Sequence, residues 1–324
     1  MTRLLSKNGW TVGLAVLFVL LLVATKIIQP GFGLSGIESL ARAVLPFAFA
    51  TVGMAIVVIA GGIDLSMAAM MAVASVTAAV LMAGASEGQA VFVVLFVLAV
   101  GLAMGAINGA LIVVTRVPDI VVTLAMLFVW QGVALLILNA PGGGAAQWLK
   151  NLIVGGLALP GIPAALTVWL PKAVVFLVIC VTLIWWPIRR SKLGIMFYAI
   201  GSDQLAAYRS GVPVGLTRIA AYAVAGLFAA MGGISVTMST GIGEPIPGPY
   251  LLASVAAVVL GGVVLGGGRG GIVGPILAVF VLRLVRMDLT LLSVDPNVTA
   301  IIEGTIMVGV VMLGGVLAMR GKRI

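Results

Sequence analysis

Apolar residues along this chain neither alternate nor recur at helical spacing. They fall in unbroken runs of about twenty, the length that carries a helix across the roughly 30 Å hydrocarbon core of a bilayer. The core offers no water to the backbone, so only helices or a closed barrel can span it. Long runs, rather than ten-residue alternation, select helices. Ten spans are predicted, at 10–28, 41–60, 65–84, 90–115, 118–138, 172–188, 217–239, 250–266, 271–286 and 298–318. Two longer polar connections interrupt them. Residues 139–171 carry Gly/Pro turn signals around a short apolar helix near 148–157, and residues 189–216 carry a compact polar stretch that opens on the basic cluster Arg189, Arg190 and Lys192. Within the latter, "QLAAYRS" predicts a helix of about two turns. Ser202 or Asp203 stands ready to accept its first amide protons, Gly211 can close it in the left-handed conformation, and Pro213 stops it from resuming.

Composition confirms the class. Charged residues make up 8% of the 324 and hydrophobic ones 62%, with a mean hydropathy of +1.30. A soluble domain carries about a quarter charged residues. The fold class is therefore an all-α polytopic membrane protein, a single transmembrane domain over 1–324. The first run, "WTVGLAVLFVLLLVATKII", is too long for a signal-peptide core and lacks a convincing cleavage site, so it is read as a retained span.

A net charge of +9 can suggest nucleic acid, but in a membrane protein it marks the loops that stay inside. With the N-terminus inside, twelve of the eighteen lysines and arginines fall on the cytoplasmic side and six on the outer side or outer span ends. Both termini are thus predicted to be cytoplasmic, 189–216 becomes a cytoplasmic loop and 139–171 a periplasmic one. Trp10 and the Trp185-Trp186 pair then mark the inner interface and Trp169 the outer. The chain has no histidine and one cysteine, Cys180, inside an apolar run. No metal site is predicted, and neither a histidine proton relay nor an internal disulfide is available. Many of the 43 glycines stand in pairs, yet "GGGRGGIVG" lacks the Lys-Ser/Thr ending of a phosphate loop and no other stretch supplies one. The chain is therefore not expected to hydrolyse ATP; close helix packing accounts for most of the glycines.

Four stretches resemble, in order, the permease subunits of bacterial ABC importers for monosaccharides, the ribose and xylose type. They are "GGIDLS" at 61–66, "GAINGALIVVTRVPDIVVTLA" at 105–125, the loop residues Gly201, Asp203, Ala206-Ala207 and Ser210-Gly211-Val212, and "VLGGVVLGGGRGGIVGPILA" at 259–278. The resemblance implies a type II importer-like arrangement in a bacterial inner membrane. It implies a separate cassette ATPase that binds ATP and Mg, a second permease chain, identical or homologous, and a periplasmic or lipid-anchored sugar-binding protein on the outer face. No nucleic-acid partner is implied. Gly201, Asp203, Gln204, Ala206, Ala207, Arg209, Ser210 and Gly211 become the ATPase-coupling residues, the small ones presented to a groove of the partner.

Departures fall near the presumed pathway: Met67-Ala68 after "GGIDLS", Asp119, Gln131-Gly132 in the fifth span, and Val263-Val264 between glycine pairs. The remaining candidates can be read in two ways. Gly61, Gly62, Asp64 and Ser66 break an apolar run, Asp64 either simply capping the restarted helix or forming part of a gate. Asn108, Thr123 and Gln131 either bond between helices or line a pathway for a neutral solute. Glu303 is the one carboxylate well inside the last span and is paired or functional. Two other readings remain, a branched-chain amino-acid ABC permease and, in a different class, an ion-coupled secondary transporter, which would need midplane coupling groups.

Overall fold

The computed structural model of the chain describes residues 2–158, 167–246 and 248–321, and among them all regular structure is helical. The order is α1 (Thr2–Ile28), α2 (Leu34–Ile59), α3 (Met67–Met82), α4 (Gln89–Thr115), α5 (Asp119–Ile137), α6 (Gln147–Asn151), α7 (Lys172–Arg190), α8 (Lys192–Ser202), α9 (Gln204–Arg209), α10 (Val214–Thr240), α11 (Tyr250–Leu260), α12 (Val273–Leu291) and α13 (Pro296–Gly321). Each predicted span has its helix. Six of these helices are long and apolar enough to cross a membrane, while α3 and α11 are shorter apolar helices. The chain is an all-α polytopic membrane protein.

α10 forms the axis of the bundle and packs most heavily on α4, then on α2 and α3. In their most apolar windows 89% of α2 and 78% of α10 is buried, against 11% of α1 and 17% of α5. α2 and α10 are therefore core, and α1 and α5 turn leucine, valine and phenylalanine outward to lipid. The α4–α10 contact depends on glycine. Gly101, Gly105 and Gly109 lie one turn apart on α4, and a side chain at Gly105 would overlap the Tyr222 carbonyl and the Gly226 amide of α10. Lipid supplies no hydrophobic drive between helices, so this backbone approach is what van der Waals packing uses instead. Ser75 and Thr237 add a hydroxyl pair at 3.0 Å between α3 and α10.

Two boundaries differ from the predicted ones. The eighth span was predicted to reach residue 266, but α11 stops at Leu260. Gly261 there meets Gly274 and Pro275 backbone to backbone, which leaves 261–272 as an irregular elbow before α12. In the outer loop α6 is shorter than the helix expected near 148–157, and residues 159–166 of that loop lie outside the described residues. Glu87 holds α6 in place by accepting from the Gln147 and Trp148 amides at 3.0 and 3.2 Å.

Gly105→Val should force α4 and α10 apart, at a cost of about 1–3 kcal/mol or more. It should lower the thermal melting midpoint in detergent. Gly132→Val, at an exposed glycine with open space around it, should leave the midpoint unchanged.

Candidate functional site: a glycine junction and its coupling helix

Residues 60–66 turn the chain between α2 and α3 at the end assigned to the cytoplasm. The sequence "GGIDLS" makes this possible because Gly61 takes φ +84°, open to glycine at no steric cost. Asp64 was expected either to cap the restarted helix or to form part of a gate, and the structure corrects the first reading. Ser66 occupies the cap position and Asp64 sits outside it, fully buried, accepting from the Ser66 amide at 2.9 Å and its hydroxyl at 2.6 Å. Asp64 thus holds the turn rather than the helix end. Ser66 in turn accepts from the Asn108 amide at 2.7 Å, and Asn108 accepts from the Trp130 indole at 3.2 Å. One polar chain therefore ties the elbow to α4 and α5.

A second set of bonds reaches the same elbow from the other side. The Ile63 carbonyl accepts from Tyr222 of α10 at 3.2 Å and from Thr123 of α5 at 3.4 Å. Asp119 at the start of α5 takes both its oxygens to Arg218 of α10, at 2.6 and 2.8 Å, and accepts from Tyr222 at 2.9 Å. Gly62 packs against this pair: a side chain there would stand 2.6 Å from Asp119 Oδ2 and from the Tyr222 hydroxyl. Arg218 and Tyr222 were missed by sequence reasoning, although an acidic residue opening one span and a basic residue one turn into another is the signal that could have found them.

The loop 189–216 and the α11–α12 elbow meet the same spot. Gly268 donates its amide to the Ile59 carbonyl at 2.9 Å. A side-chain carbon at Gly61 would stand 3.3 Å from the Gly201 Cα, one at Gly201 would overlap Ile59, and one at Gly267 would stand 2.9 Å from the Gly61 Cα. Three chain segments therefore touch through backbone alone. Tyr198 of α8 reinforces the contact by donating to the Gly270 carbonyl at 2.9 Å. Burial pushes its phenol above the usual range, with Arg189 pulling it partly back, so it stays a donor at neutral pH.

α9 follows directly. Asp203 accepts from the Leu205 and Ala206 amides, both at 2.9 Å, so the cap is Asp203 rather than Ser202. At the other end Val212 donates to Ala207 and Gly211 to Tyr208, both at 3.0 Å, with Gly211 at φ +81°, which is the Schellman closure. Of the small residues expected on the exposed face, Ala206, Ser210 and Gly211 are exposed and Ala207 is not. Ala207 turns inward at 6% exposure and Gly201 is buried in the junction. Leu205 (58% exposed) and Tyr208 (70%) project outward beside Gln204, Ala206, Arg209, Ser210 and Gly211. A two-turn helix must dock on its own protein to be stable, and Ala207 is the residue it docks with.

Six of the eight pathway candidates, Gly61, Gly62, Asp64, Ser66, Asn108 and Thr123, come together at this elbow. Gln131 is half-buried beside Trp130 and takes no part in these bonds. Glu303 lies elsewhere, paired with Arg286 at 3.1 Å.

The α2–α3 turn is thus bonded to α4, α5 and α10, with a helix capped at both ends exposed beside it. Residues 36–311 match the family model described as branched-chain amino acid transport system / permease component. The chain belongs to this permease family. The permease is 29% identical over 304 residues to the ribose import permease RbsC of Escherichia coli strain K12, covering 93% of this chain and 92% of that one. It is 32% identical over 301 residues to RbsC of Bacillus subtilis strain 168, covering 92% and 90%. It is 27% identical over 323 residues to the autoinducer 2 import system permease LsrD of Escherichia coli strain K12 / DH10B, covering 94% and 92%. No solved structure matches it. The family name mentions amino acids, but these relatives are permeases for other solutes, and neither the amino-acid reading nor the secondary-transporter reading is favoured.

Arg218→Met should strand Asp119 at the elbow and cost the permease about 3 kcal/mol. The double variant Asp119→Asn/Arg218→Met should recover much of that loss, as thermal melts of the two variants would show. Asp203→Ala should cost about 1 kcal/mol locally, seen as faster amide hydrogen exchange confined to 204–210.

Proposed function

We propose that the permease is the transmembrane subunit of an ATP-driven importer for a monosaccharide or a similarly sized polar solute. A separate cassette ATPase, binding ATP and Mg, docks on α9, and a second permease chain, identical or homologous, completes the pathway. A binding protein, periplasmic or lipid-anchored, delivers solute to the outer face that includes 139–171. The relatives named for ribose and autoinducer 2 support the solute class. Unlike the ATPase, this chain does no chemistry.

One observation carries the reading: α9 is capped at both ends, seated on the glycine junction, and presents Leu205 and Tyr208 to the cytoplasm. Residues at i and i+3 share a helix face, and two large side chains exposed on a polar loop mark a docking surface rather than a core. A push on α9 passes through α8 to Gly201. From there it reaches the α2–α3 elbow and the α11–α12 elbow without any soft side chain between. Alternating access is then a movement of those elbows.

Leu205→Glu and Tyr208→Glu should leave the permease inserted and its melting midpoint unchanged. Both should abolish co-purification of the ATPase and reduce solute-stimulated ATP hydrolysis in the reconstituted complex by more than about tenfold, the equivalent of one lost hot-spot contact. Normal stimulation with both substitutions would remove the coupling role of this face.

A further inference from the structure

The end of α7 assigned to the cytoplasm carries a set of cations with no acidic partner among the described residues. α7 is one of the six helices long and apolar enough to cross a membrane. Its 19 residues rise about 28 Å, close to the roughly 30 Å of a bilayer core, so both its ends stand at head-group level. Lys172 marks one end, and Arg189, Arg190 and then Lys192 mark the other. The α11–α12 elbow brings a fourth cation, Arg269, to the same place from a distant part of the chain. A side-chain carbon at Gly271 would stand 3.7 Å from Arg189 Nη1. Tyr198, whose ring centroid lies 6.0 Å from the Arg189 guanidinium carbon, donates to the Gly270 carbonyl.

The 189–216 loop holds one carboxylate, Asp203, which is taken by the Leu205 and Ala206 amides of α9, and the 261–272 elbow holds none. Arg189, Arg190, Lys192 and Arg269 are all exposed. Their surroundings name the partner they suit. The Arg190 guanidinium lies over the Trp186 ring at 4.2 Å, and Trp186 is itself exposed, as an indole at a membrane–water boundary is. Ile179, Leu183, Trp186 and Arg190 follow at helical spacing, so one exposed face of α7 runs from apolar to aromatic to cationic. That order matches a phospholipid, with acyl chain along the span and phosphate at its end. An acidic protein surface would have no use for the apolar stretch. The planar arginine fork suits a phosphate held by two parallel bonds.

We propose that the end of α7 and the α11–α12 elbow form a binding site for an anionic phospholipid of the cytoplasmic leaflet, its phosphate on Arg189 and Arg190 and an acyl chain along Leu183 and Ile179. Clustered cations just inside a span draw such lipids, and basic sites between spans hold their head groups. The site bears on the glycine junction, because Arg189 lies against the elbow and over Tyr198. Without a lipid the like charges of α7 and the elbow repel. A bound phosphate removes that repulsion and clamps the elbow to α7. The lipid thus sets how firmly the junction is closed. The site stands apart from the transport reading and from the exposed face of α9.

The test is the thermal melt of the intact chain in phosphatidylcholine nanodiscs with a rising fraction of phosphatidylglycerol and no ATPase present. Phosphatidylglycerol should raise the melting midpoint in a saturable way and slow amide hydrogen exchange over 266–272. Arg190→Gln should raise the half-saturating fraction about fivefold, the factor that one cation near the surface contributes. The double variant Arg189→Gln/Arg190→Gln should raise it further, and Arg190→Lys, which keeps the charge, should raise it less. Arg116→Gln, at an exposed arginine between α4 and α5, should leave it unchanged. In pure phosphatidylcholine all these variants should melt with the parent, since the side chains they change are exposed; this separates lost binding from lost folding. An unchanged phosphatidylglycerol response in the double variant would overturn the proposal. An equal shift in Arg116→Gln would do so too, because the effect would then be one of overall charge. So would sodium phosphate matching phosphatidylglycerol, which would make the ligand a free anion. A chain that ignores phosphatidylglycerol and is stabilised through these arginines only by added ATPase would give them to that partner and equally overturn it.

Discussion

Backbone groups freed at a break in a membrane helix have to find partners inside the protein, because lipid offers none. Here the breaks are made to serve one another. The Ile59 carbonyl at the end of α2 takes the Gly268 amide from the α11–α12 elbow, and the Ile63 carbonyl takes the hydroxyls of Tyr222 and Thr123. Such pairing demands that main chains touch, which requires residues without side chains at 61, 201, 267 and 268. The path of α8, the placing of α9 and the tilt of both elbows follow from that single requirement.

The same contact makes the region stiff. Side chains hop between rotamers and absorb small displacements, whereas backbone in van der Waals contact passes them on. α9 alone would not persist as a helix; capped by Asp203, closed at Gly211 and docked through Ala207, it moves with α8. The elbows it bears on terminate α2 and begin α12. Those two helices meet again where the Arg283 guanidinium of α12 stacks on the Phe47 ring of α2 at 4.2 Å. Continuous helix therefore joins both elbows to this stack.

Much of this was legible in the sequence, and the parts that were not have a common cause. Run length and punctuation place the spans, and local chemistry places both caps of α9, because each depends on residues close together in the chain. The face of α9 was legible only in part: Ala206, Ser210 and Gly211 are exposed as expected but Ala207 is buried, since which side of a two-turn helix is buried depends on what it docks against, and neighbouring residues do not record that. The early end of α11 was missed because a glycine pair reads equally as packing and as a stop until Gly274 is known to lie against Gly261. The Asp119–Arg218 pair spans 99 residues and the Phe47–Arg283 stack more than twice that, so neither leaves a local trace. Glu303 and Arg286 are 17 residues apart on adjacent helices. Reading those two helices as a hairpin would have paired them.

The two cationic sites show how one kind of residue serves opposite ends. Arg218 is fixed by a bidentate carboxylate that is itself bonded to Tyr222, and such a group holds one geometry. Arg283 stacks on the Phe47 ring, and among the described residues no hydrogen bond fixes its guanidinium, so the contact tolerates sliding. Arg218 therefore fixes one arrangement of α5 and α10 beside the elbow, while the Arg283 stack joins α12 to α2 without fixing one geometry.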